Sequence, residues 1–105
     1  MKTRIIVELK GRFLLVFNSK SNSWGYPGGK LKPPETLCEC AARELKEETG
    51  LEAHVLVELA TKNNTTNYFC REWSGNPTVL EDKHPALGWF DLDNLPSNIA
   101  KDFKN

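Results

Sequence analysis

From Arg4 to Lys10 the chain alternates apolar and polar residues, breaks at Gly11-Arg12, and resumes as the apolar run Phe13 to Phe17. That pattern predicts a hairpin with a two-residue turn, one strand half exposed and the other well buried. Asn18 to Ser23 reads as a polar loop, and Trp24 to Pro27 as a short strand ending at Gly28-Gly29. Thr36-Leu37-Cys38-Glu39 has the form of a capping box, with Thr36 as N-cap and Glu39 reaching back. The helix it opens is expected to run to about Thr49 and to stop at Gly50, a residue suited to a left-handed C-terminus. Leu37, Ala41 and Leu45 recur at a four-residue spacing and define its core-facing stripe. Leu51 to Leu59 reads as a strand, Asn63 to Asn67 as a turn, Tyr68 to Trp73 as another strand, and Trp89-Phe90 as a further short one. Ser97 is expected to cap a brief terminal helix running into Phe103. The expected fold class is α+β: a mixed sheet around one well-capped helix, in one domain over residues 1–105.

Composition narrows the partners more than the fold. With 14 basic and 14 acidic residues the net charge is zero, which argues against a nucleic-acid polymer, whose backbone calls for a basic surface. A small anionic ligand held through a metal needs only local charge. No apolar run approaches the roughly 20 residues that span a bilayer, so no membrane partner is expected. The N-terminal apolar stretch is cut by Glu8 and Lys10, and no small-residue cleavage site follows, so the expected location is cytoplasmic. The three cysteines fit that address, being odd in number and without framework spacing. Cys38 and Cys40 lie two apart on the helix, point to different sides and make a poor metal pair.

The chemistry centres on Glu44, Glu47 and Glu48. At helical geometry the three fall within about 100° of one another, on one face. Clustered carboxylates repel, so they gain from a cation, and oxygen ligands suit a hard divalent ion such as Mg²⁺. Such an ion bridges phosphate oxygens and offsets charge in phosphoryl chemistry. Upstream, Gly28-Gly29 permits close backbone approach, and Lys30 is placed to reach an anionic phosphate. A solvated amphipathic helix, its acids balanced by Arg43 and Lys46, is the ordinary alternative.

The spacing decides against that alternative. Gly29, then Glu35, then Arg43-Glu44-Leu45-Lys46-Glu47-Glu48-Thr49-Gly50-Leu51 matches the Nudix box at its fixed positions and its bulky aliphatic ones. From average residue frequencies such a coincidence at one starting point has a chance on the order of one in 10⁹. Around it, Trp24-Gly25-Tyr26-Pro27 resembles the family's approach to the box, and Trp89-Phe90 with Leu95-Pro96 its closing strand and loop. The resemblance implies an α/β/α sandwich in which the box forms a loop–helix–loop. It implies Glu44, Glu47 and Glu48 as metal ligands, joined by the Gly29 carbonyl, with Mg²⁺ as the cofactor and Mn²⁺ as the alternative. It further implies that Arg43 orients a ligand carboxylate, that Glu35 ties the loop to the helix, and that Gly50 and Leu51 are structural.

The implied reaction is attack by water on a phosphorus of a nucleoside diphosphate linked to another group. Among substrates, Tyr26-Pro27-Gly28-Gly29-Lys30 resembles the branch that hydrolyses nucleoside triphosphates. Asn98 stands where that branch uses an amide to read a purine edge. ADP-ribose, a nucleotide sugar or a dinucleoside polyphosphate are the alternative substrates, and a non-catalytic ligand-binding module is the alternative class. Glu81, ahead of Asp82, is the candidate for an acidic residue outside the box that activates water. His84 is given no role. Trp24, Tyr26, Phe69 and Trp73 are mostly core aromatics, with Phe69 or Tyr68 the choice for a base-facing ring. One departure from the family pattern is Pro33-Pro34-Glu35, where a Gly commonly precedes the Glu. Whether the chain is a monomer or a homodimer is not legible.

Overall fold

The computed structural model describes residues 1–79 and 84–100. Its elements are β1 (Lys2–Ile6), β2 (Glu8–Leu9), β3 (Arg12–Asn18), β4 (Ser23–Gly25), β5 (Gly28–Lys30), α1 (Leu37–Thr49), β6 (Glu52–Lys62), β7 (Thr65–Ser74) and β8 (Ala86–Phe90). One mixed sheet has the order β5-β1-β7-β6, with β1 and β7 parallel and the other pairs antiparallel. In the second sheet β3 pairs antiparallel with β2, β4 and β8.

The helix follows its local signals. Thr36 accepts from the Glu39 amide at 3.1 Å, and Glu39 accepts from the Thr36 amide at 2.8 Å. Gly50 closes the helix at φ 80°, its N–H donating to the Lys46 carbonyl. Ala41 and Leu45 are fully buried, and Leu37 packs against the same core. They meet Ile5, Val7, Tyr68 and Cys70 from the first sheet and Leu14 from the second. Thr3, Ile5 and Val7 are buried while Lys2, Arg4 and Ile6 are not, so alternation along β1 assigns one side to the core and the other to the surface.

Several expectations shift. The strand predicted over Arg4 to Lys10 is divided into β1 and β2, which belong to different sheets. Between them the buried Val7 accepts the Leu14 amide at 3.0 Å, so the chain passes from one sheet to the other through the core. The hairpin turn is Lys10-Gly11, one residue earlier than expected, with φ of 52° and 80°. Two successive positive φ values suit the twist of a two-residue hairpin. Asn63-Asn64 makes the second such turn, at φ 52° and 61°, so β7 begins at Thr65 within the predicted turn. Gly28-Gly29 does not end a strand but forms β5, paired with β1. The Pro33–Pro34 peptide bond is cis.

At Ser97 no helix starts among the described residues. Ile99 instead bridges Trp24, and the Asn98 carbonyl accepts the Trp24 amide at 2.9 Å. Residues 101–105, the rest of that expected helix, lie outside the described residues. Among the described residues α1 is the one helix, and none is long and apolar enough to cross a membrane.

Cys38 is exposed whereas Cys40 and Cys70 are buried, as a two-residue offset on a helix requires for the first pair. Burial pushes the Cys70 thiol up to about 11 and raises that of Cys40. Thiolate is the reactive form. A chromogenic disulfide reagent at pH 7.5 should therefore titrate Cys38 rapidly and the other two only on unfolding. Rapid reaction of all three in the folded protein would contradict this core.

Candidate active site

Arg43 organises the box. Its Nε and Nη2 donate to the two oxygens of Glu35 at 2.9 and 2.7 Å. Its Nη1 donates to Glu44 and Glu47, each at 3.1 Å, and Nη2 also reaches the Lys30 carbonyl at 3.1 Å. A guanidinium offers a planar fork, and here its whole set of donors is engaged. Arg43 thus bonds two helix carboxylates, and through it Glu35 is joined from the loop to the helix. That fork, followed by the Lys32 amide at 2.7 Å, holds the Glu35 carboxyl down at about 2. Arg43 is in turn raised further above its usual value by Glu35.

Glu44 and Glu48 then lie along β5. A Cβ at Gly29 would overlap the Glu44 carboxylate, so the absent side chain is what admits it. Glu48 is buried and accepts the Gly28 amide at 3.3 Å through Oε1. His84 is also buried, its Nε2 3.9 Å from the same oxygen. The Gly29 carbonyl lies 3.5 Å from Thr3 Oγ1 and 3.8 Å from Cys40 Sγ, both long approaches.

A cavity of about 440 Å³ opens over these groups, lined among others by Glu44, Glu47, Glu48, Gly29, Lys30 and His84. The size is ordinary for a small-molecule site. A smaller cavity of about 100 Å³ adjoins it, sharing Arg4, Asn18, Gly28, Glu48 and His84 and adding Tyr26. Among the described residues no three His, Cys, Asp or Glu side chains converge as a ready metal cage. Mg²⁺ does not demand one, because it usually keeps several waters and takes one or two carboxylates plus substrate phosphate. The all-oxygen donors at Glu44, Glu47 and Glu48 fit such an ion.

Other expected residues fall elsewhere. Asn98 is outside both cavity walls, its Nδ2 donating to the Asn22 carbonyl at 3.2 Å. Tyr68 is a core residue whose hydroxyl donates to Glu58, and burial pushes it up to about 12. Trp24 packs on Phe17 and Phe90, and Trp73 on Trp89. Glu81 lies outside the described residues. Sequence reasoning missed Arg4 and Asn18 and set His84 aside; of these only Arg4 left a trace, as a polar position in the alternation of β1.

The NUDIX domain model matches residues 3–105. The chain belongs to the Nudix family. Among solved structures it is similar to a MutT NUDIX hydrolase from Burkholderia pseudomallei, at 30% identity and TM-score 0.83 over 98% of this chain and 91% of that one. It is similar also to an ADP-ribose pyrophosphatase from Streptococcus suis, at 28% identity and TM-score 0.71 over 90% and 75%. These neighbours carry the Nudix α/β/α sandwich, and the mixed sheet with α1 is its counterpart here. Among curated proteins, a MutT-like protein of Streptomyces ambofaciens is 28% identical over 92% of this chain, which spans 66% of that protein. The Escherichia coli phosphatase NudJ is 49% identical over 46% of this chain, and the match spans 33% of that protein.

The two glycines separate structure from chemistry. A Cβ at Gly28 would strike the Thr3 backbone, which cannot swing away, whereas one at Gly29 meets the end of a side chain that can. Gly28→Ala is expected to lower stability by about 1–3 kcal/mol, as overpacking does. Gly29→Ala should keep the melting temperature within a few degrees but displace Glu44 and weaken Mg²⁺ binding by about tenfold or more. Calorimetry and metal titration of both variants check this pairing, and the reverse pattern would refute it.

The Glu35 carboxyl, lowered from 4.5 to about 2, gives an acid-side signature. Its contribution is complete above its ordinary value and disappears as pH falls through the lowered one. The melting temperatures of wild type and Glu35→Gln should differ most above pH 4.5 and converge toward pH 2. A constant offset across that window would show that the ion pair adds no stability.

Proposed function

We propose that this protein is a Nudix hydrolase that cleaves a phosphoanhydride bond of a nucleoside diphosphate derivative, with a nucleoside triphosphate as the preferred substrate. The observation that carries the reading is the gathering of Glu44, Glu47 and Glu48 beside the side-chain-free strand Gly28-Gly29 in one cavity. The similarity to a MutT NUDIX hydrolase supports the hydrolase chemistry, and the resemblance of Tyr26-Pro27-Gly28-Gly29-Lys30 to the triphosphate-hydrolysing branch supports the triphosphate preference.

Glu44, Glu47 and Glu48, with the Gly29 carbonyl, would hold a divalent cation, Mg²⁺ or alternatively Mn²⁺. When bound, that cation supplies charge stabilisation for phosphoryl oxygens. Arg43 keeps Glu44 and Glu47 oriented, and Lys30 offers a cation to the outer phosphate. Glu48, buried and paired with the Gly28 amide, is oriented by that bond. Glu81 is proposed to take the proton of the attacking water. Asn98 keeps its proposed contact to the base only if its bond to Asn22 is exchanged on binding. The unpaired thiols fit a reducing, cytoplasmic setting.

The ADP-ribose pyrophosphatase supports ADP-ribose as the second substrate reading. A panel of nucleoside triphosphates, ADP-ribose, nucleotide sugars and dinucleoside polyphosphates with Mg²⁺, analysed by product chromatography, decides between them. Pyrophosphate and a nucleoside monophosphate are the expected products from a triphosphate. Glu47→Gln and Glu48→Gln should each lower turnover by about two orders of magnitude or more while circular dichroism is unchanged. Near-wild-type rates in both at saturating Mg²⁺ would overturn the assignment.

A further inference from the structure

Lys2, Arg4, Lys30 and Lys32 are the basic residues on the wall of the larger cavity. The three lysines are exposed, whereas Arg4 is half-buried. Arg4 is also the one Lys or Arg among the described residues that lines both cavities. Its place follows from strand register. On β1 it pairs with Gly28, and its Nη1 donates to the Thr3 carbonyl at 3.0 Å. That carbonyl is the atom a Cβ at Gly28 would strike, and the Gly28 amide is the donor that holds Glu48. The Arg4 head and the Glu48 carboxylate therefore both lie beside the same glycine, on the wall of one cavity.

We propose that Arg4 is a substrate-binding residue that grips non-bridging phosphate oxygens of the nucleotide where the two cavities meet. This rests on the phosphoanhydride reading above and names a contact outside the Nudix box. The helix face at Glu44, Glu47 and Glu48 is anionic, so a polyphosphate lying over it needs positive charge on the opposite wall. A guanidinium can match two phosphate oxygens at once, and partial burial strengthens the pair relative to the exposed lysines. The contact to Thr3 fixes the guanidinium before the substrate arrives, which reduces the ordering cost of binding.

The test measures binding without turnover, using α,β-methylene-ADP, whose bridging carbon resists hydrolysis, in Mg²⁺ buffer by calorimetry. Arg4→Met should weaken binding by about 10–100-fold, as loss of a charge-assisted contact does. Arg4→Lys should fall between, keeping charge without the fork. Added guanidinium ion should restore part of the affinity to Arg4→Ala, an effect that a purely structural arginine would not show at the ligand. Binding by Arg4→Met within about twofold of wild type would overturn the role of Arg4 alone. If Arg4→Met does not fold, Arg4→Lys decides, and wild-type affinity there overturns the proposal. Failure of the wild type itself to bind the analogue overturns the phosphoanhydride site and this assignment with it.

Discussion

The folding of the box rests on how Arg43 balances the glutamates around it. Glu44, Glu47 and Glu48 share a helix face, and Glu35 is brought against the same face by its loop. Like charges at that spacing destabilise a helix, and partial burial increases the cost. The guanidinium meets three of the four acids directly and adds the Lys30 carbonyl. This fork attaches the loop and the end of β5 to α1 by charge and hydrogen bonding rather than by apolar contact. Because Glu35 is not exposed to bulk water on all sides, its pairing is of a different kind from the surface pair Lys46–Glu52.

The helix can afford an anionic face because its other face is fully committed to the core. Ala41 and Leu45 are buried against β1 and β7, and both helix ends are closed by their own residues. The charged side is then presented on a rigid scaffold at the edge where β5 offers glycines in place of side chains. Glu44 enters the space left at Gly29, and Glu48 takes the amide of Gly28. The cavity is thus a product of two glycines and one arginine fork, and any group that enters it meets preoriented carboxylates.

Similarity to proteins described as a MutT NUDIX hydrolase and as an ADP-ribose pyrophosphatase places the box in a family of varied activities. The box residues are the part that such a family shares, so they do not by themselves distinguish one activity from another. Outside the box, Arg4, Asn18, Tyr26 and His84 also line the cavities and so differ from the box residues in being free of the acidic helix face. Asn18 is partly committed already, its Oδ1 accepting the Lys20 and Ser21 amides.

Local chemistry in the sequence determined the helix from Thr36 to Gly50, its core stripe and its acidic face, because capping, periodicity and a left-handed stop all act within a few residues. The Arg43–Glu35 tie was legible for a related reason, since the resemblance fixed their spacing. The division of Arg4 to Lys10 between two sheets was not, because alternation records burial and not which strand lies alongside. Nor was β5, whose glycines read as an ending until pairing with β1 made them a strand. His84 read as an exposed loop residue, and only the packing of distant segments put it beside Glu48. Arg4 reaches the site through register with Gly28, a contact between residues 24 positions apart. Hydrogen bonds between strands are made by backbone groups that every residue carries, so the sequence alone could not say which strands would meet.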